Sequence, residues 1–339
     1  MRAFSHADEA LHDPRFFLTK GMVRRNFEIP ARAASLRAGL MQLGITPDIA
    51  APASAADARR LHTDDYIAFL QHAAADWAAL PDSGPEVVAN MHPTAEMLAQ
   101  QSEHPRHIIA RTAIHTADAA CPIGPGTWAA SLSALGCALA AAGEAAAGRS
   151  AYALCRPPGH HAYASKGGGH CYVNNSALAA QALRDAGAGR VAVLDIDSHH
   201  GNGTQGMFWD RADVLTISLH GDPHFYYPWH VGFACEVGCG ENLNLPLPMG
   251  SGDEAWLSAL DMALARIRLF RPDALVVALG LDASEHEPLA SLRVTADGFA
   301  RAAAAISGLG LPAAICQEGG YAVDHLGALL ARFLGGWRA

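Results

Sequence analysis

Residues 190–205 read RVAVLDIDSHHGNGTQ. The run 190–195 is apolar without polar alternation, as a strand covered on both faces must be. It ends in Asp195-Ile-Asp197-Ser-His199, where carboxylates and an imidazole crowd the carboxyl end of the strand. Residues 152–155, 214–219, 274–280 and 312–317 have the same form, and helical patterns at 175–185, 253–270 and 296–309 lie between them. This alternation predicts βαβ units, hence an α/β fold with a mainly parallel multi-stranded sheet and helices on both faces. Ligands bind beyond the carboxyl ends of such strands, which is where the chemistry is expected.

The chain has 339 residues, half of them apolar and 17% charged, enough to bury a large core and too apolar for disorder. No repeat or low-complexity linker divides it, so one domain over 1–339 is expected. Residues 80–121 break the pattern with Pro81, Pro85, Pro93 and Pro105 and several histidines, and read as an inserted loop region serving as a lid or subunit contact. The net charge of −9 repels nucleic acid and excludes it as a partner. The seven cysteines are an odd number in mostly apolar settings and read as reduced; Cys235 and Cys239 have no second pair nearby to complete a metal site. The start, MRAFSHADEALHDPRFF, has no apolar signal core, and the Ala-rich run 129–143 suits a buried helix better than a membrane span. A cytoplasmic protein with no membrane contact is expected.

Polar residues gather at the strand ends: Arg156-Pro-Pro-Gly-His160-His161, the Asp195 to Asn202 stretch, Ser218-Leu-His220-Gly-Asp222, Gly280-Leu-Asp282 and Gln317-Glu318-Gly-Gly-Tyr321. Asp197 and His199 are two apart, so on extended backbone both point to one side and can grip one ion. Asp282, ending another strand, is the carboxylate best placed to be third. Two carboxylates and one imidazole balance a divalent ion and leave positions open, a catalytic rather than a structural arrangement. A lone Asp-x-His usually caps a strand by hydrogen bonding, but its coincidence with the other polar strand ends favours a site. His160 and His161, stiffened by two prolines, suit proton transfer. Asp195 can orient one histidine, while Asn202 can orient the other, raising its pKa less than a carboxylate would. Tyr321, after two glycines, can project a phenol over the site toward an oxyanion.

The strings RPPGHHA, DIDSHHGNGTQ, SLHGDP, LGLD and EGGY, in this order, resemble zinc-dependent histone deacetylases and their bacterial relatives of the arginase and deacetylase fold. Asn202, the GDPHFYYP stretch, the N-terminal region and the inserted loop resemble the acetylpolyamine amidohydrolases within that superfamily. The resemblance implies zinc on Asp197, His199 and Asp282, His161 as general base and acid, His160 with Asp195 as electrostatic support, and Tyr321 polarising the scissile carbonyl. It also implies potassium on Asp195, Ser218 and main-chain oxygens of Asp197, His199 and Leu219, with a second ion near Phe208, Arg211 and Val214. A substrate tunnel would be walled by His170 and Tyr227, with Gly169 and Gly319 beside them; His170 departs from the family's Phe or Tyr. The acidic gatekeeper of polyamine-selective members matches Ala120 without a gap, with Asp118 displaced by two residues; Glu285, Glu287 or acids near Asp222 are alternative sources of that charge. The loop 80–121 resembles one through which such enzymes form homodimers that narrow the entrance. The implied reaction is deacetylation of small acylated amines. The rival is a protein lysine deacetylase with the same site, and a fold-only binding protein is disfavoured because each catalytic position holds a competent residue. The ligand types also accept iron or cobalt.

Overall fold

The computed structural model describes residues 1–289 and 291–337. Its centre is an eight-stranded sheet, in the order Asp48–Ile49, Arg2–Ser5, Ala151–Ala153, Ala313–Gln317, Ala274–Leu279, Val191–Asp195, Val214–Gly221 and Asn242–Leu247. Every neighbouring pair in it is parallel. The apolar runs all become strands, with ends shifted by no more than two residues from the sequence reading. Arg2–Ser5, Asp48–Ile49 and Asn242–Leu247 were not legible in advance. Asp48–Ile49 is only two residues long, and the edge strand Asn242–Leu247 mixes buried and half-buried residues and carries Pro246, a residue tolerated at edges.

Strand residues alternate between two cores. Ala192, Leu194, Leu275 and Val277 join Trp256, Phe299 and Phe333 on one face, while Val191, Val193 and Val276 join the alanine-rich helix Thr127–Ala146 and the helix Asn175–Asp185 on the other. In the helix Asp253–Phe270 the buried Trp256, Leu260, Leu264 and Ile267 recur at helical spacing. Burial of each such side chain stabilises the fold by about 1.5–3 kcal/mol. The Asn174 side chain starts the helix Asn175–Asp185 by accepting the Ala177 N–H at 2.9 Å. Thr127–Ala146 is long and apolar enough to cross a membrane, but 67% of its apolar window is buried inside the protein.

The segment 80–121 contains two short helices, Ala95–Gln100 and Ile108–His115, where the sequence reading had a loop. Their starts are set by Thr94 and His107, whose side chains accept backbone N–H groups. The second helix packs beside the helix Asp64–Ala78, with His115 Nε2 3.1 Å from Asp65 Oδ2. The sheet order brings the carboxyl ends of Ala313–Gln317, Ala274–Leu279 and Val191–Asp195 side by side.

Candidate active site

After Asp195 the chain stays paired through Ile196, whose N–H donates to Ala278 O at 3.0 Å. The backbone therefore remains extended and delivers Asp197 and His199 to one side. Asp282 arrives from the next strand, and one ligand atom from each of Asp197, His199 and Asp282 lies within 4.8 Å of the others. His199 Nδ1 is 3.1 Å from Asp197 Oδ1 and 3.0 Å from Asp282 Oδ2. Backbone N–H groups fix the carboxylates from behind: Ser198 donates to Asp282 Oδ1 and Gly319 to Asp197 Oδ2, both at 2.8 Å. All three residues are buried. Burial opposes charge on His199, yet hydrogen bonding to Asp197 and Asp282 pushes its pKa up to about 9. A buried pair of carboxylates that draws positive charge this strongly fits a divalent cation with mixed oxygen and nitrogen ligands. Gly319 is pressed against the cluster, and a Cβ there would meet Asp282 Oδ2 and lie 2.6 Å from Asp197 Oδ2.

His160 and His161 lie beside the cluster with ring centroids 4.0 Å apart. His160 Nδ1 is 2.8 Å from Asp195 Oδ2, and His161 Nδ1 is 2.6 Å from Asn202 Oδ1, the pairing expected from the sequence. Burial opposes the charged form of His160, but Asp195 and Asp197 outweigh it and hold its pKa well above the ordinary imidazole value. His161 is driven the other way by burial and by neighbouring His160. The turn carrying both rings is anchored by Glu318, which accepts the Gly159 and His160 N–H groups at 2.6 and 3.0 Å and the Ser176 hydroxyl at 2.6 Å.

Tyr321 is 7% exposed. Burial pushes its phenol well above its ordinary pKa, so the hydroxyl stays protonated, and among the described residues it has no hydrogen-bond partner. The ring lies under the Arg32 guanidinium at 4.7 Å from the centroid. Arg32 Nε donates to Gly320 O at 2.5 Å, and an NH2 nitrogen donates to Glu318 O at 2.6 Å. Glu287 accepts the Tyr321 N–H at 3.0 Å and the Ala322 N–H at 3.3 Å. Glu287 is buried at 5% exposure, and that burial, reinforced by Asp282, pushes its pKa up to about 8. Glu287 is therefore spent on the tyrosine turn, which corrects its reading as an alternative mouth carboxylate. Of the residues that hold this turn, Glu318 is marked in the sequence only by the EGGY string, and Arg32 lies far upstream with no local signal.

His170 and Tyr227 both reach this site: the His170 ring is 5.6 Å from that of Tyr321, and the Tyr227 ring is 4.9 Å from that of His161. Gly169 has φ 52, and a Cβ there would run into the His161 ring and stand 3.0 Å from Tyr227 Oη. The acid at this wall is Asp118 and not a residue at position 120. Its Oδ2 accepts the Tyr227 hydroxyl at 2.6 Å and the Gly169 N–H at 3.0 Å, while Ala120 only donates its N–H to Asp118 Oδ1 at 2.8 Å. Asp222 accepts the His224 N–H within its own turn at 2.9 Å, and Glu285 is exposed.

The fold and the groups at its strand ends define an α/β deacetylase. The chain belongs to the histone deacetylase domain family, whose domain matches residues 26–336. It is 43% identical over 345 residues to the acetylpolyamine amidohydrolase of Burkholderia pseudomallei (strain 1710b), covering 100% of this chain and 99% of that one. It is 42% identical over 337 residues to acetylpolyamine amidohydrolase 2 of Pseudomonas aeruginosa, covering 97% and 96%. The crystal structure of acetylpolyamine aminohydrolase from Burkholderia pseudomallei superposes with a TM-score of 0.94 at 42% identity, over 99% of this chain and 98% of that one.

Proposed function

We propose that the chain is a zinc-dependent amidohydrolase that removes acetyl groups from small acylated amines, acetylpolyamines in particular. The observation that carries this reading is the Asp197, His199 and Asp282 cluster, within 4.8 Å and flanked by two oppositely tuned histidines and a free phenol. A zinc ion held there would polarise the acyl carbonyl and make a water acidic enough to attack it. His161 is held by Asn202 Oδ1 as the Nδ1–H tautomer, which leaves Nε2 as an acceptor for the water proton. The same proton then goes to the amine nitrogen as the C–N bond breaks, releasing acetate and the free amine. His160, kept cationic by Asp195, stabilises the developing negative charge, and Tyr321 donates its hydroxyl to the carbonyl oxygen.

Full-length similarity to proteins named acetylpolyamine amidohydrolase supports small amines as the substrate class. So does Asp118, a carboxylate at the tunnel wall with no ion-pair partner among the described residues, since a cationic substrate needs a carboxylate along its path. Asp195 and Ser218 are register partners on adjacent strands and, with main-chain oxygens of Asp197, His199 and Leu219, supply an oxygen set suited to potassium. We take the chain as one deacetylase unit and the segment 80–121 as the contact of a homodimer that narrows the entrance. Steady-state kinetics on acetylputrescine, acetylcadaverine and an acetyl-lysine peptide test the reading. A strong preference for the peptide would transfer the site to protein deacetylation, and zinc-loaded protein inert on all three and on acetylspermidine would end the hydrolase assignment.

A further inference from the structure

His170 is the least conventional group near the reacting atoms. Its residue is 7% exposed, yet among the described residues the imidazole makes no hydrogen bond or ion pair. It touches protein through ring contacts with Phe17 and Tyr321, each at 5.6 Å between centroids. Neither ring nitrogen is fully sealed inside the protein, so the imidazole keeps an unpaired edge within reach of a ligand. The backbone holds it there at φ 68, immediately after Gly169, whose N–H is tied to Asp118. A phenyl ring at this position would offer a methylene chain an apolar wall; an imidazole offers a polar edge that wants a partner.

That edge has a consequence for which amines pass. An all-methylene chain lying against His170 strips water from the imidazole and returns no hydrogen bond, a penalty the site pays on every binding event. A chain with a nitrogen opposite the ring replaces the lost water. Two features point to a protonated nitrogen rather than a hydroxyl. Burial, working against Glu28 and Asp118, lowers the His170 pKa to about 4, so the ring is neutral and can accept a hydrogen bond without repelling a cation. Glu28 is neutralised by Arg32 and Arg156, at 2.7 and 2.9 Å, but Asp118 is matched by no cation of the protein.

We propose that His170 is a specificity-determining residue that accepts a hydrogen bond from a secondary ammonium inside the substrate chain, so that the enzyme selects acylated triamines and longer polyamines over acylated simple diamines. The inference rests on the deacetylase reading above and on His170 walling the tunnel. It is tested with zinc-loaded enzyme on the two monoacetylated spermidines and on monoacetyl-1,8-diaminooctane, which has the same chain length and terminal ammonium but a methylene in place of the inner nitrogen. Wild type should favour at least one acetylspermidine by about tenfold in kcat/KM, the size of one hydrogen bond to a charged group. His170→Phe should bring the ratio of kcat/KM for acetylspermidine over the octane amide down to about one. His170→Asn, which tolerates the left-handed backbone and keeps a hydrogen-bonding group, should retain most of the preference. Good turnover of the octane amide with no acetylspermidine preference in wild type, or a preference that survives His170→Phe, overturns the inference and leaves the deacetylase reading intact. Hydrolysis of an acetyl-lysine peptide with none of the three amines overturns both it and the polyamine assignment.

Discussion

Replacing Tyr321 with phenylalanine removes a single oxygen, and the structure states what that oxygen does in the free enzyme. The hydroxyl has no hydrogen-bond partner among the described residues, so its loss orphans no protein group. The ring keeps its contact with Arg32 at 4.7 Å and with His170 at 5.6 Å, and the turn keeps its hydrogen bonds to Glu287. Stability should therefore change by less than about 0.5 kcal/mol, a Tm shift of about 1 °C. The effect falls on the reaction: one donor is lost where negative charge develops on the carbonyl oxygen. Removal of a donor of this kind costs about 10²–10³ in kcat, or roughly 3–4 kcal/mol of barrier. With Asp197, His199 and Asp282 as the proposed ligands, zinc content should be unchanged. The assay pairs kcat on an acetylated amine with a thermal melt and metal analysis of the same preparation. Near-wild-type kcat would refute the role of the phenol, and a large drop in Tm would show that the hydroxyl has an internal partner after all.

Other perturbations test the surrounding shell. Gly319→Ala puts a methyl against the carboxylates of Asp282 and Asp197, so zinc uptake should fall more than about tenfold while far-UV circular dichroism is unchanged; full zinc content would contradict the close packing. Glu287→Ala leaves the Tyr321 and Ala322 N–H groups unpaired in a buried turn, at about 1–3 kcal/mol each, and should lower both Tm and kcat, whereas Glu287→Gln keeps an acceptor and should recover most of both. His62 is buried between Tyr163 O and the Asn174 N–H, and burial lowers its pKa to about 4. The folded form is thus harder to protonate than the unfolded one, with its ordinary value near 6.5. The contribution is complete above about pH 6.5 and is lost as pH falls toward 4, at about 1.4 kcal/mol per pH unit, or about 2 kcal/mol between pH 6.5 and 5. Urea unfolding of wild type and His62→Gln across that range should show a shallower slope in the variant, and equal slopes would rule His62 out as the source.

The sequence by itself determined the parallel α/β architecture and the main residues of the site, because each of those signals is local. A strand buried on both faces is a continuous apolar run, and the groups it delivers follow within a few residues. Asp197 and His199 share a side because extended backbone repeats every two residues, and Asp282 was legible as the carboxylate that ends another strand. That Asp195 and Asn202 each orient a histidine was readable from their places at the strand end, and the resemblance implied His160 as the partner of Asp195; the structure pairs His160 with Asp195 and His161 with Asn202. Only the tertiary structure decided what holds Tyr321, since Arg32 lies 288 residues before the Gly320 carbonyl it binds and Glu287 lies 34 before the Tyr321 N–H. It also decided which acid stands beside Tyr227 and Gly169. An ungapped match placed that charge at Ala120, whereas the fold brings in the Asp118 carboxylate, because the Tyr227 hydroxyl and the Gly169 N–H come from distant segments to meet it. The groups of the cluster lie along the strand ends; the contacts around Asp118 and Tyr321 form where segments from separate parts of the chain converge, and sequence spacing carries no record of that convergence.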